Sequence, residues 1–110
     1  MSHAYIQERM ERTIAILTLG TGTLRERLPE AYDEGFGTIA ISEFTDISAD
    51  IGSQAHRLRN EMYQNSNSEI GDAQASILQM DEEKLTSMAE TILDISSAVD
   101  GEIYEIKRKS

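Results

Sequence analysis

Leu78-Gln79-Met80-Asp81-Glu82-Glu83-Lys84-Leu85-Thr86-Ser87-Met88-Ala89-Glu90-Thr91-Ile92-Leu93-Asp94-Ile95-Ser96-Ser97-Ala98-Val99 is the stretch on which the fold turns. Leu78, Leu85, Ile92, Val99 and Ile106 fall seven apart, and Met88 and Ile95 come three residues after two of them. That spacing is the a/d stripe of an amphipathic helix. Asp81 interrupts the d series, which predicts a kink near Met80 with Asp81 capping a second helix. The segment is predicted over 70–99, with a stop at Asp100-Gly101 and a frayed basic tail over 106–110. The stripe has two readings: the core side of the chain's own bundle, or a seam between copies. Leu78, Leu85, Met88, Ile92, Ile95 and Val99 are therefore the candidate interaction residues.

Working back from this segment, Gln64-Asn65-Ser66-Asn67-Ser68 reads as a polar loop, and Ser66 with Glu69 has capping-box spacing. A third helix is predicted over 43–63, with the stripe Phe44, Ile47, Ile51, Ala55, Leu58 and Met62, weakened by Gly52 inside it. Thr38-Ile39-Ala40-Ile41 has strand propensity but no partner strand, so it reads as a loop or helical turn. The second helix is predicted over 23–35 on Leu24, Leu28 and Tyr32, with a kink or restart at Pro29. The first is predicted over 3–19 on Ile6, Met10, Ile14 and Leu17. Ser2 is placed to cap it, and Gly20 to stop it in the left-handed conformation. Thr21 or Thr23 is then placed to cap the second helix.

Composition agrees with helices. Aromatics make up 5% of the 110 residues and Trp is absent, so the core must be built of Ile, Leu, Met and Ala. Such residues suit helix packing better than a β-sandwich. One proline and seven glycines leave few turns. A chain of this length fits one domain and buries roughly two thirds of its unfolded surface. The expected fold is an all-α, small four-helix bundle, kinked, up-and-down or orthogonal, in a single domain over 1–110.

No cysteine is present, which excludes disulfides, thiolate catalysis and sulfur-ligated metals. No apolar run approaches the roughly 20 residues of a membrane span, and the opening residues lack signal-peptide character. A cytoplasmic location is the expectation. The net charge is −10, concentrated over 69–105, where ten acids accompany Lys84 alone. A surface this acidic repels nucleic acid and anionic lipid, so neither direct nucleic-acid binding nor membrane binding is expected.

Two stretches carry a resemblance. Leu17-Thr18-Leu19-Gly20-Thr21-Gly22-Thr23-Leu24-Arg25-Glu26-Arg27-Leu28 resembles an L-x-x-G-x-G-x-[LV]-R-x-R-L pattern. Ala75-Ser76-Ile77-Leu78-Gln79-Met80, followed by Met88-Ala89-Glu90-Thr91-Ile92-Leu93-Asp94-Ile95, resembles A-T-L-x-x-M…I-A-x-x-I-x-x-L. Both patterns, in that order, are similar to a group of small uncharacterised bacterial all-helical proteins. The resemblance covers about a third of the chain, and Pro29 and Asp81-Glu82-Glu83 depart from it. It implies an α-fold and a bacterial or phage source, and no activity.

Candidate chemistry is sparse. Glu8-x-x-Glu11 and Glu30-x-x-Asp33 have the E-x-x-E…E-x-x-D form of the MazG-like all-α nucleotide pyrophosphatases, where four acids hold Mg²⁺. On the first helix, however, Glu8 lies about 165° and Glu11 about 105° from the apolar stripe at 100° per residue. Both point away from where helices meet. Gly20-Thr21-Gly22-Thr23 with Arg25 and Arg27 offers a phosphate cradle, but no strand precedes it and the lysine of a P-loop is absent. The pairs Arg9/Arg12, Arg25/Arg27 and Arg57/Arg59 form either a basic groove or partners for the chain's own acids. His3 and His56 have no metal-binding spacing. No cofactor and no metal are expected. The leading expectation is a non-catalytic bacterial or phage accessory protein that binds another protein and forms a homodimer. The alternatives are an acidic nucleic-acid mimic that inhibits a nucleic-acid-binding enzyme, and a MazG-like pyrophosphatase.

Overall fold

The computed structural model describes residues 3–65, 69 and 71–109. These form six α-helices and one 3₁₀ turn, with no strand among the described residues. The helices are α1 (His3–Leu19), α2 (Leu24–Glu34), α3 (Ile41–Ile47), α4 (Ala49–Met62), α5 (Asp72–Leu78) and α6 (Glu82–Lys109), with the 3₁₀ turn at Phe36–Thr38. The chain is all-α as expected, but the count of four helices is corrected to six. None is long and apolar enough to cross a membrane.

α6 organises the rest. Its 28 residues span about 42 Å at 1.5 Å each, nearly the 45 Å long axis of the molecule. Leu85, Met88, Ile92, Ile95, Val99 and Ile103 form its buried face, against which α1, α2, α3 and α4 pack. Asp81 caps it, its Oδ1 accepting the Lys84 amide at 2.8 Å, so the break near Met80 occurs as the sequence implies. Two other expectations are overturned. α6 continues through Asp100-Gly101, and residues 106–109 of the basic tail are its last turn rather than a frayed end. Gly101 costs about 1 kcal/mol in a helix interior, but Val99 and Ile103 on either side are buried. Lys107, Arg108 and Lys109 meet the partial negative charge of the helix C-terminus.

The other correction concerns 43–63. Its stripe is buried from Phe44 to Met62, yet the helix is broken at Ser48, where the backbone is extended (φ −164°, ψ 135°). The break lets α3 fold onto α4, with Thr45 against Gly52. A methyl group on Gly52 would lie 2.9 Å from the Thr45 Cα, so Gly52 permits this corner.

Smaller differences have local causes. Gly20 does not adopt the left-handed conformation; Gly22 does, at φ 90°. Thr23 is the residue that caps α2, in a full capping box with Glu26. α2 does not restart at Pro29, which is buried inside it beside Leu28, Ala31 and Tyr32. Ser2 and Ser66, the expected caps, and Ile70, the expected helix start, lie outside the described residues. Three of the six aromatics gather at the centre: Phe36 lies 5.8 Å from Tyr32 and 5.1 Å from Phe44, ring centre to ring centre.

Candidate functional site

The arginines decide which surface is available for function. Helix C-termini leave carbonyls without intrahelical donors, and four arginines supply donors at such places. Arg27 Nη1 donates to the Leu17 carbonyl at 2.6 Å, near the end of α1. Arg9 Nη1 donates to the Glu34 carbonyl at 3.4 Å, at the end of α2. Arg25 Nη1 donates to the Ile77 carbonyl at 2.8 Å near the end of α5, while its Nη2 pairs with Glu82 at 3.2 Å. Arg59 Nη2 donates to the Ile39 carbonyl at 2.6 Å, just past the 3₁₀ turn, and its Nε donates to the Tyr32 hydroxyl at 3.3 Å. Arg12 pairs with Glu34 at 3.1 Å. With Arg25, Arg27 and Thr23 so engaged, the Gly20–Thr23 segment is a turn between helices.

Arg57 is the exception. Among the described residues it makes no hydrogen bond or ion pair, and it stands at the rim of a groove of about 330 Å³ between α4 and α6. Leu58 and Met88, both buried, form the apolar floor. Gln54, Ser87, Thr91 and Asp94 complete the rim, and Lys84 Nζ bridges to Glu61 Oε1 at 3.3 Å across it. The groove thus presents a free cation, a free carboxylate, hydroxyls and an amide above two apolar side chains. Such a set has the chemistry to complement a polar ligand carrying both charges. It offers no nucleophile–base pair.

Glu8, Glu11, Glu30 and Asp33 are all exposed, and no group of three or more potential metal ligands occurs among the described residues. Partial burial raises the Asp33 carboxyl above its ordinary range. A raised carboxylate pKa means the folded state holds its proton more tightly than the unfolded state. The associated stability is complete below the ordinary carboxylate pKa and is lost as pH rises through the raised value. Asp33→Asn is therefore expected to be at least as stable as the parent at neutral pH and to lose its lead on acidification. Melting curves from pH 3 to 7, a range chosen to bracket the carboxylate pKa, check this; a constant offset between the two proteins would contradict it.

Of the candidate interaction residues, Leu85, Met88, Ile92, Ile95 and Val99 are buried in the chain's own core. Leu78 is not part of that face: it belongs to α5 and is 52% exposed. Sequence reasoning missed Ser76, which is buried and ties the segment after α4 to α5. Its Oγ donates to the Met62 carbonyl at 2.9 Å and accepts the Asn65 amide at 3.0 Å. It also passed over Arg57 as a single residue, because the paired arginines look alike until the helix ends are in place. No family model matches this chain, and no curated protein or solved structure is significantly similar to it.

Proposed function

We propose that this chain is a non-catalytic protein-interaction module, a small accessory protein of bacterial or phage type, whose α4–α6 groove receives a segment of another protein. The observation that carries this is Arg57: the other arginines bond within the fold, while Arg57 stands unpaired on a polar rim above an apolar floor. A partner segment fits by placing an acidic side chain on Arg57, a basic one on Asp94 and an apolar one over Leu58 and Met88. The net charge of −10 steers partners of opposite overall charge toward the surface and makes the encounter salt-sensitive.

A nucleic-acid mimic would gain nothing from the cations Arg57 and Lys84, so the groove favours the interaction module. The pyrophosphatase reading draws no support from four acids that form no metal cluster.

Selection from a library of displayed peptides tests the proposal. Binders are expected to carry both charges around an apolar residue, to weaken with salt, and to lose binding to Arg57→Glu and to Asp94→Lys. Binders indifferent to both substitutions would overturn the groove assignment. Hydrolysis of nucleoside triphosphates with Mg²⁺ would overturn the non-catalytic reading.

A further inference from the structure

Ser48 alone separates α3 from α4, and the helical ladder is intact on both sides of it. The Ser48 amide donates to the Phe44 carbonyl at 3.1 Å, and the Gly52 amide donates to the Ser48 carbonyl at 3.0 Å. Both are ordinary four-residue helix bonds. Only the amides of Ala49, Asp50 and Ile51 lack acceptors among the described residues, and the Ser48 side chain does not cap them. No glycine or proline lies between Gly37 and Gly52 to end a helix. The apolar stripe also runs through the corner: Phe44, Ile47, Ile51, Ala55, Leu58 and Met62 fall within about 80° of one another at about 100° per residue. A corner has no need of that phase. A straight helix does.

The rest of the molecule divides at the same residue. Before Ser48, α1 packs on α2, and Tyr32, Phe36 and Phe44 form one aromatic group. After it, α4 packs on α5 and α6. The halves are joined by the packing of α1, α2 and α3 on α6 and by a few polar bonds. Gln7 Nε2 donates to Asp100 Oδ1 at 3.3 Å, Arg25 bonds Ile77 and Glu82, and Arg59 bonds Tyr32 and Ile39.

We infer that two copies of this chain exchange their first halves, with 41–62 becoming one continuous helix in each. The first half of one copy then packs on α4, α5 and α6 of the other, through the contacts it makes within one chain in the monomer. Truncating a buried side chain therefore costs the same in both forms. A two-fold axis beside Ser48 relates the copies, and straightening completes the helix bonds of Ala49, Asp50 and Ile51. Charge opposes the exchange. On the straight helix Asp46 and Asp50 stand four residues apart and repel, and Asp50 leaves the first turn of α4, where the helix dipole favours an acid. The acids of both copies gather near the axis, and each copy brings a net charge of −10. Charge thus holds the corner closed, and salt releases it. The α4–α6 groove lies wholly within the second half, so the dimer carries it twice.

Refolding from urea over a concentration series at about 0.5 M salt, which screens these charges, followed by size-exclusion chromatography, tests the inference. The dimer fraction should grow with concentration and with salt. Ala49→Pro should abolish the dimer without lowering the melting temperature. Proline suits the first position of α4, deletes an amide that bonds nothing, and keeps Ser48 extended as it already is (φ −164°, ψ 135°). In a straight helix the same ring would meet the Thr45 carbonyl. Ser48→Ala should raise the association constant about fivefold, since alanine is the better helix former in both chains. The chain has no cysteine, so a Gln7→Cys/Asp100→Cys variant with the native hinge tells exchange from simple docking. A short bis-maleimide should link two chains in the dimer fraction and each chain to itself in the monomer fraction. Monomers at every concentration, a dimer that survives Ala49→Pro, or a dimer linked only within chains would each overturn the inference.

Discussion

Ile92→Ala is expected to lower the unfolding free energy by about 2–5 kcal/mol, and Leu85→Ala by a similar amount. Both side chains are fully buried on the face of α6 against which four other helices pack. Truncation removes their transfer energy and leaves a cavity that a helix held from several sides closes poorly. Since a domain has roughly 5–15 kcal/mol in total, either loss is a large share of it. Urea unfolding checks the magnitude. The loss should be the same at every protein concentration, because the atoms removed contact the chain's own core. Concentration-dependent loss at Ile92 would mean that this face is shared with a second copy. Changes within about 0.5 kcal/mol, as at an ordinary surface site, would mean that α6 is not packed as described.

Arg59→Met should lower stability by roughly 2–3 kcal/mol, because hydrogen bonds to charged groups contribute more than neutral ones and their loss leaves acceptors without donors. The guanidinium holds two at once: the Ile39 carbonyl beyond the 3₁₀ turn, and the Tyr32 hydroxyl. Burial keeps Tyr32 a neutral phenol, pushing its pKa well above the ordinary value, and its ring sits beside Phe36 at the aromatic centre. Arg59 thus ties α4 to both α2 and the 3₁₀ turn. Arg59→Lys should recover only part of the loss, since a point charge replaces a planar fork and reaches one acceptor. Thermal and urea unfolding of the three proteins decide it. Equal stability of the Lys variant and the parent would show that charge matters here, and fork geometry does not.

Much of this architecture is legible in the residues. The stripes of α1, α4 and α6 come from periodicity, because a helix that must bury one side writes that side at three- and four-residue steps. Asp81 is legible as a cap from residue type and spacing, and the cap of α2 is narrowed to Thr21 or Thr23, of which the structure selects Thr23. The corner at Ser48 is not. Phe44, Ile47, Ile51, Ala55, Leu58 and Met62 keep helical phase straight across it, so the pattern is the same whether the helix is whole or folded. The extended backbone at Ser48 breaks it, and the close approach of Thr45 to Gly52 that this corner requires exists only in three dimensions.

The same division runs through function. Composition and charge determined an acidic chain with no thiol chemistry and no membrane-length apolar run. They also placed six arginines in pairs without assigning them work. Only the tertiary structure decided that work, because a guanidinium's partner depends on which helix ends come within its reach. Helices ending near Leu17, Glu34 and Ile77, and the turn before Ile39, expose carbonyls that four arginines satisfy. Arg57 meets none, and so remains on the rim of a groove that no local sequence feature marks.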